Sequence, residues 1–177
     1  DAFNIFVFLE ISSLSAYALV AMGAGRDRRA LPAAFNYLIL GTVGATFYVI
    51  GLGLLYMLTG TLNLADLSVR LAEVEATRAV YTAMAFIALG LFLKMALFPL
   101  HFWLVPAYSF APSAVSALMA ATATKVSVYV LVRLLFGVFG VSFFGVDSGV
   151  GLVLLTLGIT GAFVGTLAAI VETDLKK

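Results

Sequence analysis

Glu10, Lys94 and Lys125 are charged residues inside stretches that otherwise read as membrane span. A charge at the centre of a bilayer costs roughly 2.5–3.5 kcal/mol on the mildest scale, so such residues face a protein interior or a wet cavity and mark functional sites by default. Their types suit proton transfer. Burial disfavours the charged form of a lysine and a nearby carboxylate favours it, so a Glu–Lys pair that forms and breaks is a proton gate made of two side chains. The same pair also has a purely structural reading, in which Glu10 and Lys94 only lock two helices together. Three such charges, near mid-depth and on three different helices, favour a path over a packing accident.

Each charge has neighbours that fit the chemistry. Ser13 and Tyr17 follow Glu10 at i+3 and i+7, on one helical face. Lys125 lies near the middle of its helix, with Thr122 and Tyr129 at i−3 and i+4 and with Thr124 and Ser127 nearby. These hydroxyls can bond an ammonium or order water around it. A lysine stem is short against half a bilayer, so an interior partner or cavity is expected for Lys125 rather than snorkelling. Lys94 lies five residues before Pro99, which lacks an N–H and clashes with the carbonyl four residues back. Pro106 and Pro112 follow. Interrupted helices at membrane depth line cavities and recur at transporter ion sites. His101, two residues past Pro99, can accept and donate protons near neutral pH; a lone loop histidine is otherwise unremarkable. Trp103 and Tyr108 read as aromatic interface anchors.

The elements that must position these residues are helices. The chain has 177 residues, 63% hydrophobic and 11% charged, far below the roughly 25% charge of soluble domains. Its mean hydropathy is +1.14. The fold class is therefore an all-α membrane protein, because lipid forces every backbone group to bond internally and no ten-residue alternation suggests a barrel. Five spans emerge: Phe3 to Met22, Ala34 to Leu58, Ala79 to Phe98 broken at Pro99, Ser113 to Phe136, and Gly149 to Val171. Residues 59–78 form a polar loop in which Leu64, Leu67, Leu71 and Val74 fall at helical spacing, predicting a short amphipathic helix at the outer surface. Arg26, Arg28 and Arg29 place the first loop in the cytoplasm, and Lys176 and Lys177 put the C-terminus on the same side. Arg70 and Arg78, against Asp66, Glu73, Glu75 and Asp147, mark the outer loops. Small residues (Gly41, Ala45, Gly51 and Gly53 on the second span, Gly161 and Gly165 on the last) predict close helix packing.

Composition excludes several classes. A net charge of +1 gives no electrostatic case for nucleic acid. The absence of cysteine excludes disulfides, iron–sulfur clusters and thiolate metal sites, and one histidine excludes a multi-histidine metal site. No cofactor or metal is expected. The chain opens on Asp1-Ala2-Phe3 without a basic leader and reads as an internal piece of a longer polypeptide.

Three segments carry a family resemblance: FNIFVFLEISSLSAYAL (Phe3 to Leu19), KMALFPLHFWLVPAYSFAPSAVSALMAATATKVSVYVLVR (Lys94 to Arg133) and the terminal ETDLKK. Together they resemble the antiporter-like proton-translocating subunits of the respiratory complex I membrane arm and of related membrane-bound hydrogenases, and the D subunit of Mrp cation/proton antiporters. The resemblance covers the whole chain. It implies that Glu10 is the family glutamate that pairs with a lysine on a broken helix, and that Lys94 is that lysine. It implies that Lys125 is the central relay lysine of the next helix, and that His101 is associated with the half-channel. One departure stands out. The family's Trp-Leu-Pro-Asp-Ala-His or -Tyr run is here Trp103-Leu104-Val105-Pro106-Ala107-Tyr108, so the acid is absent and the proline is shifted by one. The Phe-Trp and Ala-Thr-Lys-Val-Ser context leans toward the branch that resembles the Mrp D subunit.

The resemblance implies most of a first inverted repeat (residues 3–136) plus the opening helix of a second (149–171). It also implies partners, namely other membrane subunits of a multi-subunit complex. The cargo is H⁺, with Na⁺ exchange as the alternative, and any driving redox reaction belongs to partner subunits. A transporter for another solute and a structural scaffold are the rivals. The expected location is a bacterial inner membrane.

Overall fold

The computed structural model describes residues 1–74, 78–140 and 149–173. Glu75, Asp147, Lys176 and Lys177, used above for orientation, lie outside the described residues. The described chain is all-helical, with seven α-helices in order: α1 (Ala2–Ala21), α2 (Ala30–Thr59), α3 (Leu64–Glu73), α4 (Arg78–Lys94), α5 (Leu104–Phe110), α6 (Ser113–Leu134) and α7 (Gly149–Val171). A 3₁₀ turn follows α1, and a π turn at Leu135–Phe139 extends α6. Four of these helices are long and apolar enough to cross a membrane. The protein is an integral membrane protein. At 17 residues α4 sits at the short end of the spanning range.

Helix ends follow local chemistry. Asp1 caps α1, its carboxylate accepting from the Phe3 and Asn4 amides at 2.7 and 3.4 Å. Gly60 closes α2 in the left-handed region, at φ 71°. Asn63 caps α3 through the Ala65 amide. In the α1–α2 turn the exposed Arg29 guanidinium donates to Asp27, which holds that carboxyl below the usual carboxylate range. On α3 Arg70 does the same for Asp66, four residues back.

The end of α4 differs from the sequence expectation, which carried the helix to Phe98. It stops at Lys94. The Leu97 amide donates back to the Phe92 carbonyl (3.0 Å) and the Ala96 amide to Leu93 (3.3 Å), the paired bonds of a Schellman end. Ala96 takes the left-handed position of that motif at φ 55°, where glycine is usual. Residues 95–103 then form turns, and Pro99 lies among them. The sequence expectation for α2 also shifts, since it starts at Ala30 and takes in Pro32 near its N-terminus, where proline is tolerated.

Two apolar clusters hold the bundle. The larger joins Tyr48, Leu52 and Leu55 of α2 to Ile87 and Leu91 of α4 and to the π turn. Leu67 and Leu71 bury the apolar face of α3 against it. The smaller joins Tyr17, Tyr37, Trp103 and Met119. Helices α2 and α4 approach at backbone distance: a Cβ on Gly90 would stand 2.5 Å from the Gly44 carbonyl, and one on Gly51 2.7 Å from the Ala83 carbonyl. Gly53 faces open space, and so does Gly165 of the expected α7 pair. No residue of α7 is buried; Val150, Leu154 and Leu157 only lean on the larger cluster.

Candidate functional site

Glu10 projects from the middle of α1 and Lys94 is the last helical residue of α4. A cation there also faces the negative end of the helix dipole. Lys94 Nζ donates to Glu10 Oε1 at 2.6 Å and to Ser13 Oγ at 2.9 Å. The Ser13 hydroxyl donates in turn to the Leu9 carbonyl at 2.7 Å, so its oxygen is oriented to receive the ammonium. The lysine side chain is 6% exposed and the glutamate side chain 22%. Removing one partner of such a buried pair leaves an uncompensated charge, which costs about 3–5 kcal/mol.

Aromatic residues fix the lysine's end of the site. Trp103 Nε1 donates 2.9 Å to the Leu93 carbonyl, immediately before Lys94. The indole stacks on Tyr37 at 4.2 Å and 5°, and Tyr37 meets Tyr17 edge-on at 4.5 Å. Trp103 is thus 3% exposed and buried in the bundle, not an interface anchor as its type suggested. Tyr108 is partly buried. Neither Tyr37 nor the Trp103–Leu93 bond is visible in the sequence. Tyr37 carries no local signal, and the indole bond joins positions ten residues apart across a helix break.

A cavity of about 550 Å³ opens beside the pair, between α1 and α6. Its wall includes Ser13, Tyr17, Lys94, Thr122, Ser127 and Tyr129. Thr122 is bonded to the Leu118 carbonyl of its own helix, and the Tyr129 hydroxyl accepts from Arg133 at 2.7 Å.

Lys125 does not meet the expectation of an interior partner. It is exposed on the surface of the chain and donates to the Ala120 carbonyl of its own helix. The outward position follows from helical phase: Ser127, Val130 and Leu134 form the buried face of α6, and Lys125 falls off that face. It does not line the cavity beside Lys94. His101 is separate again. It lines a second cavity of about 360 Å³ against α7, with Gly161 and Gly165, and its buried Nδ1 has no protein hydrogen-bond partner. The structure therefore brings Glu10, Lys94 and Ser13 together, and leaves Lys125 and His101 apart from them. Among the described residues no cluster of three His, Cys, Asp or Glu could hold a metal ion.

Comparison with known proteins gives a consistent result. The family described as NADH:quinone oxidoreductase/Mrp antiporter, TM matches residues 1–177. The chain is 49% identical to the N subunit of the NADH-quinone oxidoreductase of Desulforudis audaxviator over 175 residues, 99% of this chain and 34% of that protein. It is 34% identical to the D subunit of the Na(+)/H(+) antiporter of Alkalihalophilus pseudofirmus over 180 residues, 100% of this chain and 35% of that protein. Among solved structures it resembles part of the membrane-bound sulfane sulfur reductase, an archaeal respiratory membrane complex. That match has a TM-score of 0.83 at 32% identity and covers 99% of this chain and 35% of the matched one. The chain spans about a third of the length of the curated relatives it matches.

Proposed function

The chain belongs to the NADH:quinone oxidoreductase/Mrp antiporter transmembrane family, and from that premise we propose that it is the proton-handling part of an antiporter-like subunit. Glu10 and Lys94 form the gate. Closing and opening of this pair is the step that passes the proton on. Lys125 is the onward station on α6, and Thr122, Thr124 and Tyr129 support it. His101 serves the path from the turns after α4, among which Pro99 lies. The observation that carries this reading is the buried 2.6 Å contact of Lys94 with Glu10 at a helix end beside a cavity.

In this reading α4, the turns at 95–103 and α5 together make one broken crossing, giving five spans. Residues 3–136 correspond to most of a first repeat, and 149–171 to the opening helix of a second. The Arg26–Arg29 turn and the C-terminus face the cytoplasm of a bacterial inner membrane. The partners are other membrane subunits of a complex I-related or Mrp-type assembly. Identity is higher to the oxidoreductase relative than to the antiporter relative, which favours the complex I-related side. Exchange of Na⁺ for H⁺ is the second reading, supported by the similarity to a Na(+)/H(+) antiporter over the whole chain.

The test uses the full-length protein in proteoliposomes. Glu10→Gln nearly abolishes proton transport while assembly is retained, and Lys125→Ala does the same. Replacing Glu10 and Lys94 together by apolar residues separates relay from scaffold, because a buried pair that only registers helices tolerates that exchange. Normal transport in the double variant would sink the gate.

A further inference from the structure

Gly41 of α2 stands where almost any other residue would strike the Tyr17 hydroxyl. A Cβ built there would lie 1.9 Å from Tyr17 Oη. The backbone of α2 thus makes room for one polar atom of α1. That atom is buried, in a residue only 6% exposed, and no protein group meets it in hydrogen-bonding geometry. Ser13 lies near enough to interact with it. The Ser13 proton goes to the Leu9 carbonyl and one lone pair of its oxygen receives Lys94, so Ser13 can serve Tyr17 only as an acceptor and the Tyr17 oxygen has no donor. Leaving a buried hydroxyl unbonded costs about 1–3 kcal/mol, so such groups are normally satisfied by protein or by ordered water. Tyr17 contributes to the wall of the cavity that also reaches Lys94.

Lys94 offers the matching donor. An ammonium carries three N–H groups. Glu10 and Ser13 accept two of them, and among the described residues the third has no protein acceptor. The cavity, about 550 Å³, is far larger than the ~10–15 Å³ one water requires, and its wall supplies the polar partners a buried water needs.

Resting on the gate reading, we propose that Tyr17 Oη and the third proton of Lys94 hold an ordered water, with Gly41 shaping the pocket for the hydroxyl. The water accepts from Lys94 and bonds Tyr17, which makes Tyr17 a positioning residue of the gate. It gives the lysine a second hydrogen-bonded neighbour, so that a proton leaving Lys94 need not return to Glu10.

The experiment uses the full-length protein reconstituted in proteoliposomes, with a high-resolution cryo-EM map of the parent protein. Tyr17→Phe keeps the ring against Tyr37 and removes only the hydroxyl; Gly41→Ala displaces the hydroxyl from the other side. Each lowers proton flux about tenfold, the scale of one lost buried hydrogen bond to a charged partner. The map shows density for a water within bonding distance of both Tyr17 Oη and Lys94 Nζ. Unchanged flux in Tyr17→Phe, alongside an inactive Glu10→Gln, overturns the water site and leaves the gate standing. A map in which Tyr17 bonds Ser13 directly, with nothing between it and Lys94, overturns the water site as well. Unchanged flux in both Tyr17→Phe and Glu10→Gln overturns the two readings together.

Discussion

Lys94 and Lys125 carry the same side chain on two helices of one bundle, and their surroundings could hardly differ more. Lys94 closes α4, is buried, and divides its protons between a carboxylate and a hydroxyl from α1. Lys125 sits within α6, is exposed on the chain's surface, and bonds only a backbone carbonyl of its own helix among the described contacts. The first is held by tertiary structure: Trp103 anchors the carbonyl just before it, and Tyr37 anchors Trp103. The second is held by its own turn of helix. A buried lysine with one carboxylate partner is the element the proposed gate needs. Lys125 has no carboxylate partner among the described residues.

The largest effect expected from this contrast is on stability. Lys94→Met leaves the partly buried Glu10 without a partner and costs about 3 kcal/mol, whereas Lys125→Met changes stability by less than about 0.5 kcal/mol. Thermal unfolding of the two purified full-length variants in detergent reads the difference directly. Equal destabilisation would break the contrast by showing that Lys125 has a buried partner elsewhere in the protein.

A smaller effect tests the anchor. Trp103→Phe preserves the stack on Tyr37 but removes the bond to the Leu93 carbonyl, a loss of about 1–1.5 kcal/mol. Amide hydrogen exchange over the last turn of α4 rises in this variant and stays unchanged in the middle of α6. Protection unchanged at Leu93 and Lys94 would show that the Schellman bonds alone hold the lysine. The smallest effect has the opposite sign. Ala96→Gly relieves the left-handed strain at the helix end and stabilises by about 0.5–1 kcal/mol, after glycine's extra unfolded-state entropy offsets part of the relief. A lower melting temperature for Ala96→Gly would mean that the alanine methyl contributes more through packing than its backbone position costs.

Much of this was legible in the chain. Apolar runs of spanning length located the long helices to within a few residues, and the spacing of Leu64, Leu67 and Leu71 located α3. The cost of isolated charges left a Glu10–Lys94 pair as one reading, the family resemblance implied it, and helical phase put Ser13 on the face of Glu10. What was hidden has a common cause. The true end of α4 depends on Ala96 adopting a backbone region that usually announces itself with glycine, so Pro99 drew the boundary four residues late. The Tyr17–Tyr37–Trp103 stack joins three elements that no local pattern connects. The outward position of Lys125 depends on which face of α6 the other helices cover, and a helix that is apolar nearly all round does not declare that face.

The glycine approach of α2 to α4 has a mechanical consequence. With Gly44 and Gly90 meeting at backbone distance and the Lys94 stem lying against Gly44, these helices form a fixed bearing. Sliding one past the other would drive side chains into main chain, a movement that close-packed interiors resist. In the proposed gate, motion is therefore left to torsions of the Lys94 and Glu10 side chains, or to α1; its stroke would be the length of two side chains, against a frame that resists sliding.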